Sequence, residues 1–115
     1  MHGMYGKTAA VDIDFDAISD LELEIALQRF RYVCAAAYEC SICFTEHGIH
    51  LYIVLDRAVS FDKIMTLRAY LLDDENRFEI DMKRRKYPQV TFKWKHRKGK
   101  KYSREWICYS LASST

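Results

Sequence analysis

At 115 residues, half of them hydrophobic and only one a proline, the chain has the size and composition of one folded domain and not of a disordered segment. No apolar run approaches the ~20 residues of a membrane span, and Met1–Ala10 lacks the apolar segment of a signal peptide, so the expected setting is intracellular, in the cytoplasm and away from membranes. The net charge of +2 conceals an asymmetry: Asp12 to Glu24 carries six acids and no base, whereas Lys83 to Arg104 carries eleven Lys and Arg and no acid.

Met1–Ala10 shows no periodicity and leads into a first strand of about Ala10 to Asp16. There Val11, Ile13 and Phe15 alternate with Asp12, Asp14 and Asp16, which sends the apolar side chains to one face and the carboxylates to the other. Like charges side by side repel, and Asp is a poor strand former. A divalent cation held by hard oxygen ligands explains such a face; a solvated edge strand is the plainer alternative. Ser19-Asp20-Leu21-Glu22 has the form of a capping box. The helix it opens places Leu23, Ala26, Leu27, Phe30, Cys34 and Ala37 on one stripe and ends near Ala37.

Tyr38 to Thr45 alternates again, Glu46-His47-Gly48 makes a tight connection, and Ile49 to Leu55 is the next strand, with His50 and Tyr52 opposite its apolar side. Ser60 caps a second helix with Phe61, Ile64, Leu67 and Leu71 on its buried stripe, which Asp73-Asp74 stops. Phe78 to Lys83 has strand alternation. After Pro88, Val90 to Lys95 and Arg104 to Tyr109 form two strands joined around Lys98-Gly99-Lys100.

The order strand, helix, strand, strand, helix, strand, hairpin predicts an α+β domain. The compact solution is a ferredoxin-like or RNA-recognition-like βαββαβ sheet over residues 10–85, with two helices on one face, and a basic β-hairpin extension over 86–115. With the strand order four, one, three, two, Asp12, Asp14, His50 and Asp81 share the open face of adjacent strands. Three such carboxylates suit two Mg²⁺ or Mn²⁺ ions, the arrangement used in phosphoryl transfer. His50, beside oxygen-preferring metals, suits a phosphate contact better than ligation. Lys83, Arg84 and Arg85 would neutralise a triphosphate, while Lys93, Lys95, Arg97, Lys98, Lys100 and Lys101 would track a nucleic-acid backbone. Tyr52, Phe92, Trp94 and Trp106 offer stacking surfaces for bases.

Three segments resemble, in order, the motifs of the archaeo-eukaryotic primase superfamily: Asp12-Ile13-Asp14, then Thr45-Glu46-His47-Gly48-Ile49-His50, then Leu71 to Asp81. The resemblance implies an RNA-recognition-like catalytic core, metal ligation by Asp12, Asp14 and Asp81, and a phosphate contact from His50. It also implies nucleoside triphosphate, DNA or RNA, and other replication proteins as partners in replication or repair. The family's serine two positions before the histidine is Gly48 here, which leaves Thr45 as the nearby hydroxyl.

Two competing readings come from other classes. A non-catalytic nucleic-acid-binding module of the same fold would use the basic hairpin and aromatics without metal. A rolling-circle-type nuclease would need a closer histidine pair than His47 and His50, with Tyr70 as nucleophile. Cys40 and Cys43, at an odd separation in a strand, face opposite ways, which argues against a zinc site with His47 and His50. The four cysteines are expected as buried thiols.

Overall fold

The computed structural model describes residues 5–84, 94–97, 100–103 and 105–111. Its elements in chain order are β1 (Tyr5–Asp14), α1 (Asp20–Ala36), β2 (Glu39–Thr45), β3 (Gly48–Ser60), α2 (Phe61–Tyr70), α3 (Glu75–Arg84), β4 (Trp94–Arg97), β5 (Lys100–Ser103) and β6 (Glu105–Leu111). A 3₁₀ turn over Phe15–Ala17 links β1 to α1. The domain is α+β, with a four-stranded antiparallel sheet in the order β1-β3-β2-β6 and a separate β4-β5 pair. No helix among the described residues is long and apolar enough to cross a membrane.

Local chemistry accounts for the helix starts. The Ser19 side chain accepts from the Glu22 amide while the Glu22 carboxylate accepts from the Ser19 amide, the reciprocal box that satisfies two orphan donors. Ser60 caps α2 by accepting from the Lys63 amide. The alternation expected on β1 holds at Val11 and Ile13, but the strand runs from Tyr5, not from about Ala10, and ends at Asp14. Phe15, expected on the apolar face, lies in the 3₁₀ turn and is 43% exposed. Ala9, Val11 and Ile13 are buried against Phe30, Ile49, Leu51, Ile53 and Ile64. Burying one such aliphatic side chain is worth about 1.5–3 kcal/mol, so this single layer between sheet and helices carries most of the fold.

Three features depart from the expected topology. Phe78 to Lys83 is not a strand but the body of α3. Asp74 starts that helix, its carboxylate accepting from the Arg77 amide, and Ile80 and Met82 on the apolar alternation remain substantially exposed. The sheet therefore has no fourth strand beside β1, and β1 is an edge strand instead of a central one among the described residues. Finally, of the two strands expected over Val90 to Lys95 and Arg104 to Tyr109, residues 90–93 and 104 lie outside the described residues, and the described parts fall in different sheets. The hairpin is β4 with β5, and β6 instead joins the main sheet beside β2.

What occupies the outer edge of β1 is the turn between α2 and α3. The Asp74 amide donates to the Asp12 carbonyl at 2.9 Å, and the Asp12 amide donates to Asp73 Oδ1 at 2.9 Å, so a backbone and a side chain replace one rung of a strand ladder. Leu72, in the left-handed region at φ 58°, turns the chain out of α2 to make this approach.

Candidate metal and nucleotide site

Asp12 and Asp14 point away from the core and line one cleft of about 620 Å³ between the end of β1, the start of α1 and the α2–α3 turn. Among the described residues, every ionisable one lining it is acidic: Asp12, Asp14, Glu22, Asp73, Asp74, Glu75 and Glu79. Asp14 is exposed and uses Oδ1 to accept the Asp16 amide at 2.9 Å. Asp73 is a structural member of this wall. Its side chain is 0% exposed and paired with Arg68 at 2.7 Å and Arg77 at 2.8 Å. Burial pushes its carboxyl above the usual range, while Arg77, Arg68 and the Asp12 amide pull it back.

A second set of polar groups crosses the sheet beside Asp12. The register places Asp12 opposite His50, His50 opposite Cys43, and Cys43 opposite Cys108, one row over all four strands. Cys43 and Cys108 are joined as a disulfide, which corrects the expectation of thiols throughout; Cys34 and Cys40 are the free, buried pair. Directly opposed Cys residues on neighbouring antiparallel strands have their side chains close enough to bond. Cys40 packs into the core and Cys43 lies on the other face, as their odd separation requires.

Glu105 joins this row through a bulge. It is three residues from Cys108, a spacing that alternation sends to opposite faces. The register shift between Phe44 and Thr45, however, leaves one extra residue on β6 and re-aims the Glu105 side chain. Its Oε2 lies 2.8 Å from His50 Nδ1 and also accepts from the Tyr52 hydroxyl. His50 itself is 1% exposed, and its Nε2 lies 3.6 Å from Asp12 Oδ1.

The expected site residues are thus divided. Asp12, Asp14 and His50 stand together at one end of β1 and β3. Asp81 does not join them. It sits on α3, where its carboxylate is held by Arg68 Nη1 at 2.8 Å, and it does not line the cleft. His50 is buried beside Asp12 and is not on the cleft wall. Thr45 is likewise buried, opposite Glu105, and is not part of the cleft wall. Lys83 and Arg84 are exposed at the end of α3. Lys95 and Arg97 fall on β4 and Lys100 and Lys101 on β5, while Arg85, Lys93 and Lys98 lie outside the described residues, as does Phe92.

Gly48 has a structural reason. A Cβ there would sit 1.9 Å from the Ile13 carbonyl oxygen, so the close approach of β3 to β1 leaves no room for a side chain at this position. The sequence gives Asp73-Asp74 a role only as the end of α2 and Glu105 none at all. For Asp74 a signal existed, an Asp at the cap position before a helix-forming run; for Glu105 none did, since its partner is 55 residues away.

Among the described residues, one group of three side chains brings its ligand atoms within 4.8 Å of one another: Cys43, Glu105 and Cys108. The disulfide removes both sulfurs from that set. The cleft carboxylates are less tightly gathered, which suits a hard cation that keeps several waters and takes one or two carboxylates. No family model, curated protein or solved structure matches this chain.

Proposed function

We propose that the chain is a primase/polymerase-like domain in which Mg²⁺ or Mn²⁺ at Asp12 and Asp14 admits a nucleoside triphosphate for nucleotidyl transfer. The observation that carries this reading is the cleft whose ionisable lining among the described residues is all acidic, with both aspartates on its wall. A triphosphate is repelled by such a wall unless a cation lies between them, and a cation there would polarise the phosphoryl oxygens it meets. Asp81 has no part in the proposal, because Arg68 engages its carboxylate.

The β1-β3-β2 adjacency, with helices packed on one side, is compatible with a ferredoxin-like core, and the turn at Asp73-Asp74 stands where such a core has its fourth strand. DNA or RNA would be met by basic residues, Lys83 and Arg84 exposed at the end of α3 and the Lys and Arg positions of the β4–β5 hairpin. Calorimetric titration of Mn²⁺, with and without a nucleoside triphosphate, tests the reading. Binding that tightens with nucleotide and is lost in Asp12→Asn and Asp14→Asn supports it and leads to primer-extension assays. Mn²⁺ binding indifferent to nucleotide rejects it.

A second reading, a metal-independent nucleic-acid-binding module, draws on the exposure of Trp106 and Tyr109 on β6. Oligonucleotide binding that persists in a chelator would select it.

A further inference from the structure

We infer that Cys43, Cys108 and Glu105 form a zinc site that the disulfide keeps closed, so that reduction of this bond by a small thiol opens a centre for Zn²⁺. The inference goes beyond the reading above and does not rest on it. Cys108 stands at the opposite end of the cross-strand row from Asp12.

Three ligands are already gathered there. The register sets Cys43 directly across from Cys108, and the bulge turns Glu105 to their side of the sheet. Cys108 Sγ lies 3.9 Å from Glu105 Oε1, and the two sulfurs and a Glu105 carboxylate oxygen all lie within 4.8 Å of one another. Ligand atoms on a tetrahedral Zn²⁺, at bonds of about 2.0–2.3 Å, stand about 3.3–3.8 Å apart. Sulfurs released on facing strands reach that separation by side-chain rotation. The carboxylate is held in place from its other oxygen: Oε2 accepts the Tyr52 hydroxyl and lies 2.8 Å from His50 Nδ1. Such outer contacts are what orient a ligating carboxylate.

The donor set selects the ion. Two thiolates and a carboxylate suit Zn²⁺, whereas Mg²⁺ and Ca²⁺ take oxygen ligands. Three protein ligands leave a fourth position for water or an incoming group. Access separates this pair from the other cysteines. Cys108 is exposed, so thiol and metal can reach it. Cys34 and Cys40 lie in the core, where burial holds them as thiols, and a thiol does not ligate.

The exchange balances. Two small thiols are oxidised to their own disulfide, and their two electrons and two protons convert the Cys43–Cys108 bond to a pair of thiols. Zn²⁺ then displaces both protons as it binds.

The test uses the whole chain, with Co²⁺ as a spectroscopic stand-in and Zn²⁺ for calorimetry. Protein reduced by a trialkylphosphine, then freed of it under argon, should give the near-ultraviolet absorption of thiolate-to-cobalt charge transfer. The oxidised wild type should show none, a comparison that needs no variant. Cys108→Ser should lose the absorption. Glu105→Gln, checked for folding by circular dichroism, should weaken Zn²⁺ at least about tenfold. Reduced wild type without the absorption overturns the inference and leaves Mn²⁺ at Asp12 and Asp14 untouched. Absorption that survives in Cys108→Ser, or Zn²⁺ affinity unchanged in Glu105→Gln, overturns it as well. A cobalt signal that meets every expectation in a protein whose Mn²⁺ binding ignores nucleoside triphosphate upholds the zinc site and sinks the polymerase-like reading alone.

Discussion

Arg68 and Asp73 form an ion pair in which both side chains are 0% exposed, Nη2 to Oδ2 at 2.7 Å. Arg68 is also the largest fully buried side chain among the described residues, and through Asp73 it fixes the turn that meets Asp12. Removing one member of a buried pair strands the other charge, at a cost of about 3–5 kcal/mol. Arg68→Met keeps much of the volume and should lower stability by about that amount in urea unfolding. A loss below about 1 kcal/mol would mean that Arg77 alone can hold Asp73.

Asp81 depends on the same arginine from the other side. Asp81→Asn should cost about 1 kcal/mol of stability, the worth of one hydrogen bond weakened, with Mn²⁺ affinity unchanged. If this variant lost metal binding at wild-type stability, Asp81 would belong to the site after all.

At Gly48 the obstacle is backbone and cannot rotate away. Gly48→Ala and Gly48→Ser should each destabilise by about 1–3 kcal/mol as β3 is pushed off Ile13. Thermal unfolding of either variant at the wild-type midpoint would contradict the contact.

The Cys43–Cys108 bond closes a sequence separation of 65 residues. Loop-closure reasoning gives it about 2–4 kcal/mol, so a dithiol reductant should lower the urea midpoint of the wild type and leave Cys108→Ser unmoved. Equal midpoints with and without reductant would show that the two sulfurs are not joined in solution.

Burial raises the pKa of the Cys34 and Cys40 thiols above the ordinary 9.0, for Cys40 far above it. A raised thiol stays protonated, so neither should react with iodoacetamide in the folded protein at pH 8.5, and both should react in urea. The same sign governs stability. The contribution of these thiols is complete below the ordinary value of 9.0 and declines as pH rises beyond it, because the unfolded chain releases protons that the folded chain retains.

Local signals explain what was legible in the chain. The Ser19 box, the Ser60 cap and the two faces of β1 and β3 are written in neighbouring residues, and each appears in the structure. Asp12, Asp14 and His50 were legible as one group for the same reason, since alternation and a short β2–β3 turn set their register. Phe78, Ile80 and Met82 misled because a period of two was read as burial, whereas Ile80 is 48% exposed. Helix-forming Glu, Arg, Met and Lys around them carried the opposite message. Glu105 was out of reach altogether, because a bulge on a strand 55 residues away reversed the face that counting would assign.

The turn at Asp73-Asp74 has a bearing on how copies of this chain can meet. Edge strands offer unpaired amides and carbonyls to any passing strand, and among the described residues β1 is such an edge. At Asp12, however, both backbone groups on that side are already engaged, one by an amide and one by a carboxylate. The acidic end of β1 is thereby closed to strand-by-strand association, and the carboxylates beside it stay turned toward small ions instead of being buried against a neighbouring molecule.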